Sequence, residues 1–117
     1  MVEPDFYRIS KEDTLESAYK NIISIALYLR KFPYVNFSKM GLQGSSWGGI
    51  QTNYIVTRTH LFAAACSASS NSDFVSGYGQ LSHGGTMDQE YAGGALGSIW
   101  KYPGWYITHS PVMRAIP

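Results

Sequence analysis

The run Gly44-Ser45-Ser46-Trp47-Gly48, followed by Gly49, constrains this chain more than any other stretch. Small residues packed this densely suit a turn that crowds its own backbone, and a Cβ at Gly44 or Gly48 is expected to clash there. Gly49 leaves room for a helix to lie close to a strand. The flanks agree with such a turn. Residues 35–43 read as a connection and then a short strand, with Met40, Gly41 and Leu42 its buried part. From Trp47 to Thr59 the spacing predicts a helix with Ile50, Tyr54 and Ile55 on its inner face. Leu61 to Ala68 is small and apolar without alternation, the pattern of a strand buried on both faces of a parallel sheet. Strand, tight turn, helix, strand is the logic of a parallel βαβ unit, so the fold class is α/β.

The rest of the chain fits around that unit. Residues 1–9 have no clear period and read as an extended lead-in. Ser10, Glu12 and Asp13 supply the acceptors and negative charge of a helix start. Leu15, Ala18, Tyr19, Ile22, Ile23, Ala26, Leu27 and Arg30 recur at helical spacing. They predict a helix from Thr14 to Lys31 with a broad apolar face, stopped by Pro33 and laid over the sheet. In residues 69–98 Ser, Gly and Asn become frequent. Gly84-Gly85 and Gly93-Gly94 read as turns, with short helical pieces at Asp73–Tyr78 and Asp88–Tyr91. The tail from Trp100 carries Pro103, Pro111 and Pro117 and has space for one short helix at most.

Composition excludes several classes. The chain has 117 residues, of which 44% are hydrophobic and 15% aromatic, enough for one domain with one core and unlike a disordered chain. Nine basic and eight acidic residues give a net charge of +1 without a Lys/Arg cluster, so the footprint of a nucleic-acid binder is missing. Cys66 is the only cysteine, which excludes an internal disulfide but identifies no compartment. The longest strongly apolar run, Ile22 to Leu29, is too short to span a bilayer. The start, Met1-Val2-Glu3-Pro4-Asp5, does not read as a signal peptide, and in a fragment that leaves the location of the parent open.

Gly-x-Ser-x-Gly between a strand and a helix is also the pattern of a nucleophile elbow, in which a strained turn lifts a serine oxygen above the sheet. Ser46 would attack a carbonyl carbon once a histidine takes its proton. The Trp47 N–H, at the helix N-terminus, would point at the developing oxyanion. The same residues also suit a strand-to-helix connection without chemistry. Ser45 is the neighbouring candidate, but its frame would require glycines where the chain has Gln43 and Trp47.

A triad can be drawn inside the chain from Ser46, Asp73 or Asp88, and His109, on order alone. His60 falls at the expected end of the second helix, where a histidine can serve the last carbonyls. His83 precedes Gly84-Gly85 and reads as solvated. Three separated histidines without His-x-x-x-His or Cys-x-x-Cys give no metal-ligand set. Gly44 to Gly49 lacks the Gly-Lys-Ser/Thr ending of a phosphate loop.

Lys39-Met40-Gly41-Leu42-Gln43-Gly44-Ser45-Ser46-Trp47-Gly48-Gly49 resembles the elbow of the prolyl oligopeptidase family of serine peptidases. Gln51-Thr52-Asn53-Tyr54 and Thr59-His60-Leu61-Phe62-Ala63-Ala64-Ala65 resemble the following helix and strand of its bacterial members. Ser76-Gly77-Tyr78-Gly79, Gly93-Gly94, Ser98-Ile99-Trp100 and Tyr106-Ile107-Thr108-His109-Ser110-Pro111 keep the family's order, so the likeness covers residues 14–117. Ser69-Ser70-Asn71 departs from the family's small-Pro-Val run near its specificity pocket.

The resemblance implies a partial α/β-hydrolase, a parallel sheet with flanking helices around a strand–elbow–helix core. Residues 1–117 would form the central fragment of a peptidase catalytic domain. It further implies Ser46 as nucleophile, the Trp47 backbone as oxyanion donor, and Phe74 and Tyr78 among the aromatics lining a pocket for a proline-like side chain, although both also suit a core. The triad Asp and His are expected beyond Pro117, and the early strands, a tyrosine donor and a β-propeller before residue 1. No cofactor is implied. The expected substrates are short peptides cleaved after proline or alanine near their N-terminus, with the isolated fragment inactive. A carboxylesterase or acyl hydrolase of the same fold is the alternative. A non-catalytic module is another, working by self-association through its open sheet edges.

Overall fold

A computed structural model describes residues 14–80 and 99–115 of the chain. Helix α1 runs over Thr14–Leu29, strand β1 over Gly41–Ser45, helix α2 over Trp47–Val56 and strand β2 over Ala64–Ala68. Helices α3, Phe74–Gly79, and α4, Pro103–His109, follow, with 3-10 turns at Phe37–Lys39 and Pro111–Arg114.

The two strands are parallel and in register from Gly41 opposite Ala64 to Ser45 opposite Ala68. Helix α2 makes the crossover and packs against both strands, α1 packs on α2, and α3 packs on α4. The parallel sheet with flanking helices is that of a partial α/β-hydrolase. Its core is Leu15 of α1, Ile50 and Tyr54 of α2, Phe74 of α3 and Tyr106 of α4, all buried. Tyr19, Trp47, Val75, Tyr78, Ile99 and Trp105 pack around them. One apolar cluster therefore ties the crossover helix to every other helix described.

Several boundaries differ from the sequence expectation. Helix α1 stops at Leu29 rather than Lys31. The amides of Arg30, Lys31 and Phe32 instead bond three residues back, to Leu27, Tyr28 and Leu29. Pro33 disfavours helical backbone at Phe32, and the last turn tightens accordingly. Helix α2 ends at Val56 rather than Thr59, because side chains satisfy its last carbonyls early. Thr57 Oγ1 donates toward the carbonyls of Asn53 and Tyr54, at 3.0 and 3.1 Å. Arg58 Nη1 also donates to Tyr54, at 3.1 Å. The end-capping task expected of His60 thus belongs to Arg58, and His60 is exposed beyond the helix.

Strand β2 is shorter than the apolar run that contains it, and all of its residues are exposed rather than buried on both faces. In β1, Leu42 is half-buried and Gly41 exposed. Among the described residues α2 is the main cover of this pair of strands. Small apolar side chains suited to a sheet interior therefore face outward.

The Asp73–Tyr78 piece is the helix α3, with Asp73 as its N-cap, its carboxylate accepting from the Val75 amide at 3.0 Å. The tail holds α4 and a 3-10 turn. The expected helix start at Ser10–Asp13, the Asp88–Tyr91 piece, His83 and the glycine pairs at 84–85 and 93–94 lie outside the described residues.

Candidate active site

Ser46 joins the C-terminal end of β1 to the first turn of α2 with backbone angles φ 55° and ψ −121°. A non-glycine residue at positive φ is sterically disfavoured and persists only where its surroundings impose it. Both sides of the peptide unit do so here. The Ser46 amide donates to the Ala68 carbonyl of β2 at 3.0 Å, and the Ser46 carbonyl accepts the Ile50 amide of α2 at 3.1 Å. Serine at a helix N-cap ordinarily turns its hydroxyl onto the helix amides. Ser46 makes no such side-chain cap bond and is exposed. The strain therefore holds a hydroxyl outward at the carboxyl end of a parallel strand, where ligands of open α/β sheets bind.

The glycines divide the work unequally. A Cβ on Gly44 would run into the Gly48 carbonyl and would come within 2.7 Å of Thr52 Oγ1. Thr52 is buried and donates from that oxygen to the Gly48 carbonyl at 2.9 Å. A Cβ on Gly49 would lie 2.6 Å from the Ala68 carbonyl and 2.7 Å from Ser70 Cβ, so Gly49 sets the close approach of α2 to β2. A Cβ on Gly48 would meet nothing within 4 Å outside its own helix backbone. The expected clash at Gly48 is thus corrected, because its Cβ direction is open and its carbonyl is what crowds Gly44.

Trp47 is the first residue of α2, which puts its amide at the positive end of the helix dipole. Its ring packs against the core cluster that contains Phe74 and onto which Tyr78 also packs. The two aromatics expected at a pocket separate here. Phe74 is only 1% exposed, with its ring 5.7 Å from that of Trp105. Tyr78 stacks edge-on against Tyr106 at 5.5 Å and lines an apolar cavity of about 600 Å³ with Val75, Ile99, Trp100, Pro103 and Ile107. Phe74 thus supports the wall that Tyr78 presents.

The residues of the internal triad are otherwise engaged. Asp73 caps α3. His109 stacks on Trp105 at 4.4 Å, and its Nδ1 lies 2.9 Å from the Trp105 carbonyl and 3.1 Å from Thr108 Oγ1. Asp88 lies outside the described residues. On the far side of α2, the Arg58 guanidinium sits 3.4 Å from the Tyr54 ring centroid and donates to the Thr108 carbonyl at 3.1 Å. Burial pulls its pKa below the usual arginine value, partly countered by neighbouring Tyr54.

The sequence model of the prolyl oligopeptidase family, a peptidase family, matches residues 2–96. This chain belongs to the prolyl oligopeptidase family. An uncharacterized peptidase, YuxL of Bacillus subtilis strain 168, is 35% identical over 51 residues, a stretch covering 44% of this chain and 8% of that protein. No solved structure gives a significant match. Membership of this peptidase family gives the strand–turn–helix around Ser46 its context. Among the described residues no helix is long and apolar enough to cross a membrane.

Sequence reasoning missed the polar bridge between α2 and the loop after β2. Asn53 Nδ2 donates to Ser70 Oγ at 3.0 Å and to Ser72 Oγ at 2.8 Å, and Ser67 Oγ donates to the Gly49 carbonyl at 3.0 Å. The available signals were an asparagine inside a helix, where it is disfavoured, and the serine-rich run at 67–72. It missed Ser110 as well. That hydroxyl, fully buried, accepts the Phe74 amide at 2.8 Å and donates to the Tyr106 carbonyl at 2.6 Å.

Proposed function

We propose that Ser46 is the nucleophile of a serine peptidase acting on short peptides, and that this chain is the central part of its catalytic domain. The observation that carries the reading is the backbone of Ser46, at φ 55° and ψ −121°, with a hydroxyl that caps nothing. Strain of this kind, held by bonds on both sides, belongs to a position selected for what its side chain does.

In the proposed reaction a histidine accepts the Ser46 proton as the oxygen attacks the scissile carbonyl. The oxyanion that forms faces the Trp47 N–H, where a fixed dipole stabilises it without reorganisation. The amine leaves with the proton, and water then hydrolyses the acyl-serine by the same steps. We assign the histidine and its acidic partner to chain beyond Pro117, a choice supported by the capping role of Asp73 and the stacked position of His109. Tyr78, at the cavity wall, is assigned to the side-chain pocket, with Phe74 behind it.

The test uses the full-length protein containing this segment. A fluorophosphonate probe is expected to label Ser46, located by peptide mass, and Ser46→Ala to abolish labelling. Turnover of an Ala-Pro anilide well above that of a simple aryl ester, relative to each uncatalysed rate, separates a peptidase from an acyl hydrolase. Labelling at another serine, or none, would overturn the assignment. The segment alone is expected to show little turnover, because a serine without its base loses most of its activation.

A further inference from the structure

We propose that Asn53 is a positioning residue for substrate, holding the loop of residues 69–72 against α2 beside the nucleophile. The proposal rests on Ser46 as the reacting group. The loop leaves β2 at Ala68, the residue whose carbonyl holds the Ser46 amide. It ends in α3, whose Tyr78 lines the apolar cavity. Whatever fixes the loop therefore fixes the distance between nucleophile and cavity wall.

Proton counting orients the bridge. Ser67 has one hydroxyl proton, and it goes to the Gly49 carbonyl at 3.0 Å. The 2.7 Å contact between Ser67 and Ser70 must then run from Ser70 to Ser67. Ser70 in turn accepts from Asn53 at 3.0 Å, while the second Asn53 proton goes to Ser72 at 2.8 Å. The chain thus begins and ends on α2, passing through β2 and the loop, and the protons of Asn53, Ser70 and Ser67 each have one destination. It continues into the backbone. The Ser72 carbonyl accepts the Val112 amide at 3.0 Å, and Ser110 Oγ accepts the Phe74 amide at 2.8 Å. Ser69, the first residue of the loop, is the other described non-glycine residue at positive φ, 48°. A loop that includes such a residue needs ties of this kind to keep its shape.

Asn53 is the one member of the chain that donates twice and touches no reacting atom. Its loss is therefore expected to loosen substrate binding and leave the chemistry intact. The test again uses the full-length protein. In Asn53→Leu, which keeps the volume and removes both donors, the KM for an Ala-Pro anilide is expected to rise about tenfold, in line with two lost hydrogen bonds. Its kcat and the rate of fluorophosphonate labelling are expected to change less than about twofold, because neither requires the cavity wall. Asn53→Asp is expected to recover part of the KM, since the Ser72 hydroxyl can turn and donate to a carboxylate.

Amide exchange gives a readout free of catalysis. The amides of Asp73, Phe74 and Val75, each held by a side chain, are expected to exchange about tenfold faster in Asn53→Leu, with the amides of α2 unchanged. An unchanged KM in an active protein, or a kcat that falls as far as KM rises, would overturn the proposal. If the unmutated protein neither takes up the probe nor cleaves peptides, the nucleophile assignment fails by itself. Amide exchange then decides for Asn53, and equal exchange in wild type and Asn53→Leu would end the claim.

Discussion

The carbonyl of Gly48 occupies the space that a side chain on Gly44 would need. One residue ends the strand side of the turn and the other opens the helix, so the two pass without a Cβ between them. The obstacle is backbone held by Thr52 and cannot swing aside. Gly44→Ala is therefore expected to destabilise the full-length protein by about 3 kcal/mol, the upper range of overpacking. Gly48→Ala meets open space on a helix and is expected to be neutral or to add up to about 1 kcal/mol. Urea titrations of the two variants against wild type check the contrast, and equal losses would refute it.

Strain at Ser46 makes a separate prediction. Replacing it by glycine removes the penalty at φ 55° but adds chain entropy to the unfolded state. Ser46→Gly is expected to gain about 1 kcal/mol in net stability, whereas Ser46→Ala gains nothing. Both lose fluorophosphonate labelling. Thermal unfolding that ranks alanine at or above glycine would show that the turn is not strained.

Ser110 joins α3 to α4 through a hydroxyl without solvent contact. Ser110→Ala removes both buried bonds of this hydroxyl, from the Phe74 amide and to the Tyr106 carbonyl, at an expected cost of about 2 kcal/mol. By comparison, Ser24, whose hydroxyl bonds the Lys20 carbonyl at 2.7 Å on the exposed side of α1, should be replaceable by alanine within about 0.5 kcal/mol. Denaturant midpoints of the two variants measure the difference.

Arg58 is stacked and forked, which lysine cannot imitate. Arg58→Lys is expected to cost about 1 kcal/mol through loss of the planar contact with Tyr54 and the bond to Thr108. The pH dependence has a definite sign. Burial lowers the pKa of this cation in the fold, so its protonation opposes folding, and the penalty fades only as pH rises through the folded value. That window lies on the alkaline side. Stability curves of wild type and Arg58→Met should run parallel through neutral pH, and only at strongly alkaline pH should the wild type gain on the variant.

The open sheet predicts behaviour of the isolated segment. Ala64 to Ala68 present an exposed strand of small side chains, which invites pairing with another copy. Sedimentation of the segment alone is expected to show concentration-dependent association, reduced by Ala65→Lys. A monomer at all concentrations would count against it.

What the sequence made legible was local. The elbow could be read because the close passage of Gly44, the strain at Ser46 and the helix start at Trp47 fall within a few neighbouring residues. The helical piece at Asp73–Tyr78 and the parallel pairing of β1 with β2 were legible for the same reason. The role given to Gly48 was wrong because two glycines in one motif need not face the same obstacle. Asn53 meets Ser72 across 19 residues and Phe74 meets Ser110 across 36, distances over which composition carries no pairing signal. The ends of α1 and α2 were displaced by side chains and a proline whose effect on hydrogen bonding depends on geometry.

Everything that bends Ser46 into place lies between Gly41 and Ala68, within one strand–helix–strand crossover. Contacts of such short sequence separation cost little loop entropy and can form early. On a ribosome this stretch would emerge as a unit before the later chain that we assign to the base and acid. The order of synthesis would then act as a safeguard, since the nucleophile is shaped first and the means to ionise it arrives last.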